Sequence, residues 1–170
     1  MADAASRRIA IAGAGMVESL ELGAGEGEVH VGRDADGALV GVAVPASGMG
    51  YQDQIRVLYG YDPSAERIIG LVVLESRETP GLGDRIETDE RFRASFADLD
   101  VRLDASGSAL RHALELVKSG ERRERWQVDG ISGATVSSRA VTELVDRSAA
   151  SALPAIRSKL DGLAPPGGDG

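Results

Sequence analysis

From Glu28 to Leu74 the chain is a succession of short apolar runs, and the spacers between them are too short to hold a crossover helix. Parallel neighbours need a connection of a dozen residues or more, so these runs can pair only as antiparallel strands. Glu28-Val29-His30-Val31 leads into Asp34-Ala35-Asp36-Gly37, a turn rich in Asp and Gly. Ala38 to Val44 returns as a strand ended by Pro45, and Ser47 to Tyr51 reads as a flexible connector. Gln54 to Tyr59 alternates polar and apolar residues. After the turn Asp62-Pro63-Ser64-Ala65, Arg67 to Leu74 is the most buried-looking strand. The expectation is an antiparallel meander.

The second half of the chain has a different period. Phe92, Phe96 and Leu99 share one helical face, predicting a short helix within Asp84–Leu99. Leu114 to Lys118 reads as a strand, Arg122 to Arg125 as a charged excursion, and Trp126 as a core-edge residue. After Thr135, apolar positions at Val136, Ala140, Val141, Leu144 and Val145 have helical spacing. A further helical piece is expected from Pro154 to Leu160, and residues 163–170 read as a disordered tail. The fold class is therefore α+β: one domain, mainly an antiparallel meander sheet, packed with a C-terminal helix and a short central helix. Its limits fall at residues 26–162, behind an N-terminal segment of residues 1–25.

Composition removes several chemistries. With no cysteine among 170 residues, disulfides, thiolate catalysis and iron–sulfur ligation are excluded. His30 and His112 stand far apart without a ligand pattern, so no metal site is expected, and both read as surface or half-buried residues. A net charge of −8 argues against nucleic acid or an anionic membrane as partner. No catalytic acid–base pair is visible. Ile9 to Gly15 imitates the start of a dinucleotide fingerprint, but Glu18 stands where the third glycine belongs.

Asp129-Gly130-Ile131-Ser132-Gly133-Ala134-Thr135-Val136-Ser137-Ser138 concentrates small residues and hydroxyls at a helix start. Gly130 and Gly133 let the backbone approach a ligand or turn tightly. The free N–H groups and dipole of a helix start favour an anion, so a phosphate site and a plain set of caps are both open readings. Glu78-Thr79-Pro80-Gly81-Leu82-Gly83 is a second marked stretch, a shaped loop leaving a core strand.

Together the two stretches resemble the FMN-binding domain family. Asp129 to Thr135 is similar to the motif Asp-x-x-(Ser/Thr)-Gly-Ala-Thr, onto which a flavin transferase esterifies FMN, and Glu78 to Gly83 resembles the loop of the same family. The likeness covers residues 26–150 and points to the G subunit of the Rnf electron-transport complex, with the C subunit of the sodium-pumping NADH:quinone oxidoreductase as a cousin. The resemblance implies an electron-transfer subunit with FMN held covalently by a phosphoester to Thr135. It gives Asp129 the motif acid's place and Ser132 a hydrogen bond to the phosphate, with Gly133 and Ala134 joining Ser132 to Thr135. Glu78, Thr79, Gly81 and Leu82 would lie along the flavin ring, Thr79 and Leu82 foremost. Lys118 is added as a cation near ring or phosphate, where it would favour the anionic reduced state.

The implied partners are the other subunits of a membrane redox complex and the transferase, on the extracytoplasmic face of the membrane. Those subunits normally begin with a transmembrane helix, and Met1 to Glu26 holds no such stretch, which predicts a soluble chain. Three rival readings are a stand-alone module holding FMN non-covalently, a dinucleotide-binding enzyme using Gly13 and Gly15, and a scaffold whose hydroxyls are only caps.

Overall fold

A computed structural model describes residues 15–22 and 27–163. Six strands follow one another in space as in sequence: β1 Met16–Glu21, β2 Glu28–Arg33, β3 Leu39–Met49, β4 Gln54–Asp62, β5 Arg67–Glu75 and β6 Leu99–Asp100. Every neighbouring pair is antiparallel, as the short spacers require. β1 adds a strand from the segment before Glu26. It also puts a strand where the helix of a dinucleotide fingerprint would have to begin, and so removes that reading of Gly15. Ile9 and Gly13 lie outside the described residues, as does the expected tail at 163–170 apart from its first residue, Leu163, which ends the last helix.

Two strand-end expectations need correction. β3 does not stop at Pro45, and Ser47 to Met49 is strand rather than connector, paired with Arg56, Ile55 and Gln54. Pairing of β3 with β2 reaches only Ala43, so beyond it β3 has a neighbour on one side, and a missing N–H is tolerated there. In the same way Leu99 does not continue the central helix but opens β6 against Ile68.

That central helix is α1, Glu90–Ser95, preceded by a 3-10 turn at Gly83–Glu87. The Asp89 side chain caps α1 by accepting from the Phe92 N–H at 2.9 Å. Phe92 and Phe96 are fully buried and meet edge to face at 5.1 Å. A separate parallel pair, β7 Glu115–Val117 and β8 Gln127–Asp129, closes the far side. Trp126 is half-buried and stacks on His112 at 3.8 Å. His112 is half-buried as expected, whereas His30 is buried among the β2 core residues rather than at the surface.

The last element, α2, runs unbroken over Thr135–Leu163, through Pro154. No second helix starts at Pro154, because the apolar face continues across it in Ala149, Ala152, Leu153 and Ile156, all buried. The proline deprives one carbonyl of its donor, which is outweighed by that face, at about 1.5–3 kcal/mol for each large side chain removed from water. Among the described residues no helix is long and apolar enough to cross a membrane.

The meander presents Val42 and Val44 of β3 and Ile55, Val57, Tyr59 and Tyr61 of β4 to α2, while Ala43 and Leu58 alternate to the opposite face. The Tyr59 hydroxyl hydrogen-bonds Ser148 of α2 at 2.8 Å, and burial raises its pKa. The charged excursion Arg122–Arg125 stays at the surface, with Arg123, Glu124 and Arg125 exposed, but two of its arginines are tied back to Asp98. Arg122 donates to the carbonyls of Asp98 at 2.6 Å and Gln127 at 2.7 Å. Arg125 and Arg67 both donate to the Asp98 carboxylate.

Hydrogen bonding from Arg125, then from Arg67, holds the Asp98 carboxyl below the usual aspartate range. A depressed carboxyl stabilises the fold above its unfolded pKa, about 4, and loses that contribution as pH falls through the folded value. Thermal unfolding should therefore find Asp98→Asn less stable than the parent chain at neutral pH. The gap should begin to shrink below about pH 4 and close only once pH has fallen through the depressed folded value, where both side chains are uncharged. A gap that persists undiminished at low pH would refute the ion-pair account.

Candidate functional site

The loop leaving β5 is organised by one carboxylate. Glu78 is only 5% exposed, and both its oxygens accept hydrogen bonds. The Tyr51 N–H donates to Oε2 at 3.1 Å, the Gln52 N–H to Oε1 at 3.2 Å, and the Ser137 hydroxyl to Oε2 at 2.6 Å. The first two donors sit in the β3–β4 connection and the third in the first turn of α2, so Glu78 ties three distant segments together. Two glycines make room for it. A Cβ on Gly50 would fall 2.2 Å from Glu78 Oε1, and one on Gly83 would fall 2.5 Å from Ser137 Oγ.

The rest of the loop is braced from within. Thr79 gives its carbonyl to the Leu82 N–H at 3.0 Å, and its hydroxyl accepts from Gln52 Nε2 at 3.4 Å. Gly81, at φ +76, donates its N–H to Asp84 Oδ1 at 2.8 Å. Leu82 is thereby thrust outward, 52% exposed just ahead of the 3-10 turn. Arg85, within that turn, donates to the Ser132 carbonyl at 2.7 Å and pairs with Asp89 at 3.7 Å. The loop and the motif ahead of α2 are thus joined through a guanidinium.

The parallel pairing of β7 with β8 delivers the motif. Because the strands run together, Lys118 at the end of β7 and Gly130 at the end of β8 emerge side by side, and the Gly130 N–H donates to the Val117 carbonyl at 2.8 Å. Asp129 accepts from the N–H groups of Gly120 at 2.9 Å and Arg122 at 3.1 Å, so its carboxylate fixes the β7–β8 connection. Ser132 and Gly133 are exposed, Gly133 at φ +81. Ala134 is buried, and its carbonyl accepts from the Ser138 N–H at 3.0 Å, which opens α2. Thr135 follows, exposed, with its backbone N–H in the first turn. Among the described residues no side-chain hydrogen bond engages its hydroxyl, whereas the Ser138 hydroxyl turns back to the Ala134 carbonyl at 2.8 Å.

Thr135 stands on the ridge between two clefts. The first, about 430 Å³, is lined by Glu78, Thr79, Leu82, Gly83, Gly133, Ala134 and Thr135 together with Tyr51, Val136 and Ser137. Among the described residues its one charged lining residue is Glu78, and Leu82, Val136 and Tyr51 expose 52%, 56% and 66% of their surface around it. The second, about 460 Å³, includes Lys118, Ser132, Thr135 and Arg139, with Glu121 opposing the two cations. Most residues singled out from sequence therefore converge on these two clefts. Gly81 and Asp129 line neither and act through the loops they brace.

Sequence reasoning left out Tyr51, Ser137, Arg85 and Arg139. Arg139 lies four residues after Thr135, hence on the same side of α2, and that spacing could have found it. Ser137 reads in sequence as a plain helix-start residue. Its partner lies 59 residues away, and no local pattern records such a contact.

An apolar-walled cleft, an exposed hydroxyl at a helix start and an adjoining cationic cleft fit an aromatic group bearing a phosphate. The family model for the FMN-binding domain matches residues 50–150. Among curated relatives, the G subunit of the ion-translocating oxidoreductase complex of Methanosarcina acetivorans is 40% identical over 114 residues, 67% of this chain and 52% of that protein. The Escherichia coli K12 protein of the same name is 32% identical over 148 residues, 85% of this chain and 66% of its own length. The chain thus spans between about half and two-thirds of these relatives. Among solved structures, NqrC from Shewanella oneidensis superposes with a TM-score of 0.64 at 26% identity, covering 94% of this chain and 78% of that one. With both its marked loops inside the matched span, the chain belongs to the FMN-binding domain family.

Proposed function

We propose that this chain carries FMN, joined by a phosphoester to the Thr135 hydroxyl, and relays electrons as a subunit of an ion-translocating oxidoreductase complex of the Rnf type. The observation that carries the reading is the position of Thr135: an exposed hydroxyl on the ridge between an apolar-walled cleft and a cationic one. The relatives named as subunits of ion-translocating oxidoreductase complexes support the wider role. The reading extends, by resemblance, to a flavin transferase as the maturing enzyme, to the other subunits as partners and to the extracytoplasmic face of the membrane.

When bound, the flavin supplies one- and two-electron transfer, and the protein supplies attachment, orientation and electrostatics. Leu82, Val136 and Tyr51 offer apolar surface to a planar ring, with Thr79 and Glu78 as its polar edge. Ser132, Lys118 and Arg139 lie on the phosphate side of Thr135. A phosphodiester keeps one negative charge, which the start of α2 stabilises by about 0.3–1 kcal/mol. Arg85 and Glu78 act on the backbone, holding loop and helix start at fixed separation.

Two experiments test this reading. Co-production with a flavin transferase should give an intact mass raised by one FMN less the water lost in forming the phosphoester, and an in-gel fluorescent band, both lost in Thr135→Ala. Flavin released on denaturation, or retained covalently in Thr135→Ala, would sink the covalent assignment. Gly83→Ala places a Cβ 2.5 Å from Ser137 Oγ and 2.8 Å from Glu78 Cβ. It should cost about 1–3 kcal/mol in denaturant unfolding, as overpacking does, and lower flavin loading while far-UV circular dichroism stays unchanged. Full loading at parental stability would show that the contact between loop and helix start is dispensable.

A further inference from the structure

The Glu78 carboxylate is buried, yet no described cation neutralises it. Its three partners are two backbone N–H groups and a hydroxyl, all donating, which is the complement of an ionised carboxylate. The charged side chains nearby are engaged elsewhere. Arg77 pairs with Asp53 at 3.4 Å, Arg85 is committed to Ser132 and Asp89, and Asp84 accepts from Gly81. Lys118 and Arg139 open onto the other cleft. The first cleft is thus lined by one uncompensated negative charge, set back from solvent, beside apolar walls.

A charge in that position acts at low effective dielectric and is poorly screened by salt. Adding electrons to a group in the same cleft brings like charge towards it, which is unfavourable. We infer that Glu78, besides bracing the loops, is the residue that holds the flavin's reduction potential down, through a buried carboxylate left without a counter-charge. This rests on the proposed seating of the flavin in the first cleft. It gives the glycines at 50 and 83 a second consequence, since a side chain at either would displace the charge.

The test is the midpoint potential of the full flavin-loaded chain and three variants at one pH. Glu78→Gln removes the charge and keeps the shape. Gln52→Lys supplies a counter-charge from an exposed position whose backbone N–H already reaches Glu78. Glu75→Gln removes an equal charge that is 49% exposed and paired with Arg56 at 3.6 Å. Glu78→Gln should raise the two-electron reduction equilibrium at least tenfold, about 30 mV. Gln52→Lys should raise it in the same direction because it stands against the cleft residues Glu78 and Thr79, and Glu75→Gln should leave it unchanged because its charge lies outside the cleft lining, exposed and paired with Arg56. A merely structural Glu78 would leave Glu78→Gln at the parental potential, and a Gln52→Lys chain at the parental potential would show that charge at this point does not reach the flavin; either outcome, or equal shifts in Glu78→Gln and Glu75→Gln, overturns the inference. If Glu78→Gln takes up no flavin, the Gln52→Lys potential decides alone. A parental chain that takes up no flavin overturns the proposed function, and this inference with it.

Discussion

The structure around the clefts depends on the burial of one charge. An isolated carboxylate taken out of water is costly unless hydrogen bonds replace its hydration, and Glu78 has replaced it with donors from two other segments of the chain. Because removing any donor would leave part of that cost uncovered, the β3–β4 connection, the loop after β5 and the start of α2 are fixed relative to one another. Exposed ion pairs such as Arg56–Glu75 do not exert such control, since solvent screens them and either partner can be lost cheaply. Arg85 adds a second tether between loop and motif, but it spans an exposed gap and ends on a carbonyl.

α2 joins that local order to the rest of the fold. Its inward face, Val141, Leu144, Val145, Ala149, Leu153 and Ile156, seats it on the meander over most of its length. Its first turn projects past that contact, where Thr135 and Val136 are exposed and Ser137 reaches Glu78. A helix anchored so firmly cannot slide, and the position of Thr135 follows from core packing as much as from its own motif. Pro154 is compatible with this arrangement because the packing continues on both sides of it.

Much of this was legible in the sequence because it is local. Two-residue alternation and turn residues specified the meander, and helical spacing marked α1 and α2. The two marked stretches, Glu78–Gly83 and Asp129–Thr135, hold most of the lining of the clefts. What escaped was decided by partners remote in sequence. Pro45 reads as a strand end until the edge position of that part of β3 is known. Leu99 has the spacing of a helix face with Phe92 and Phe96, yet Ile68 claims it for the sheet. The arginines at 122 and 125 read only as part of a charged excursion, because Asp98, which receives both, lies 24 and 27 residues earlier. Ser137 and Arg85 belong to the same class, for their partners lie 59 and 47 residues away.

The two clefts differ in sign, and the difference has a physical use for a group anchored between them. On one side of Thr135 stand Lys118 and Arg139, suited to a permanent anion; on the other stand apolar walls and a buried acid. A ligand with a phosphate at one end and an uncharged aromatic ring at the other meets favourable surroundings in only one orientation. Reversed, it would place its phosphate against Glu78 and its ring among cations. In the proposed seating, the charge that holds the loops together would also reject the wrong orientation, so that one side chain would serve the fold and the electrostatics of the flavin alike.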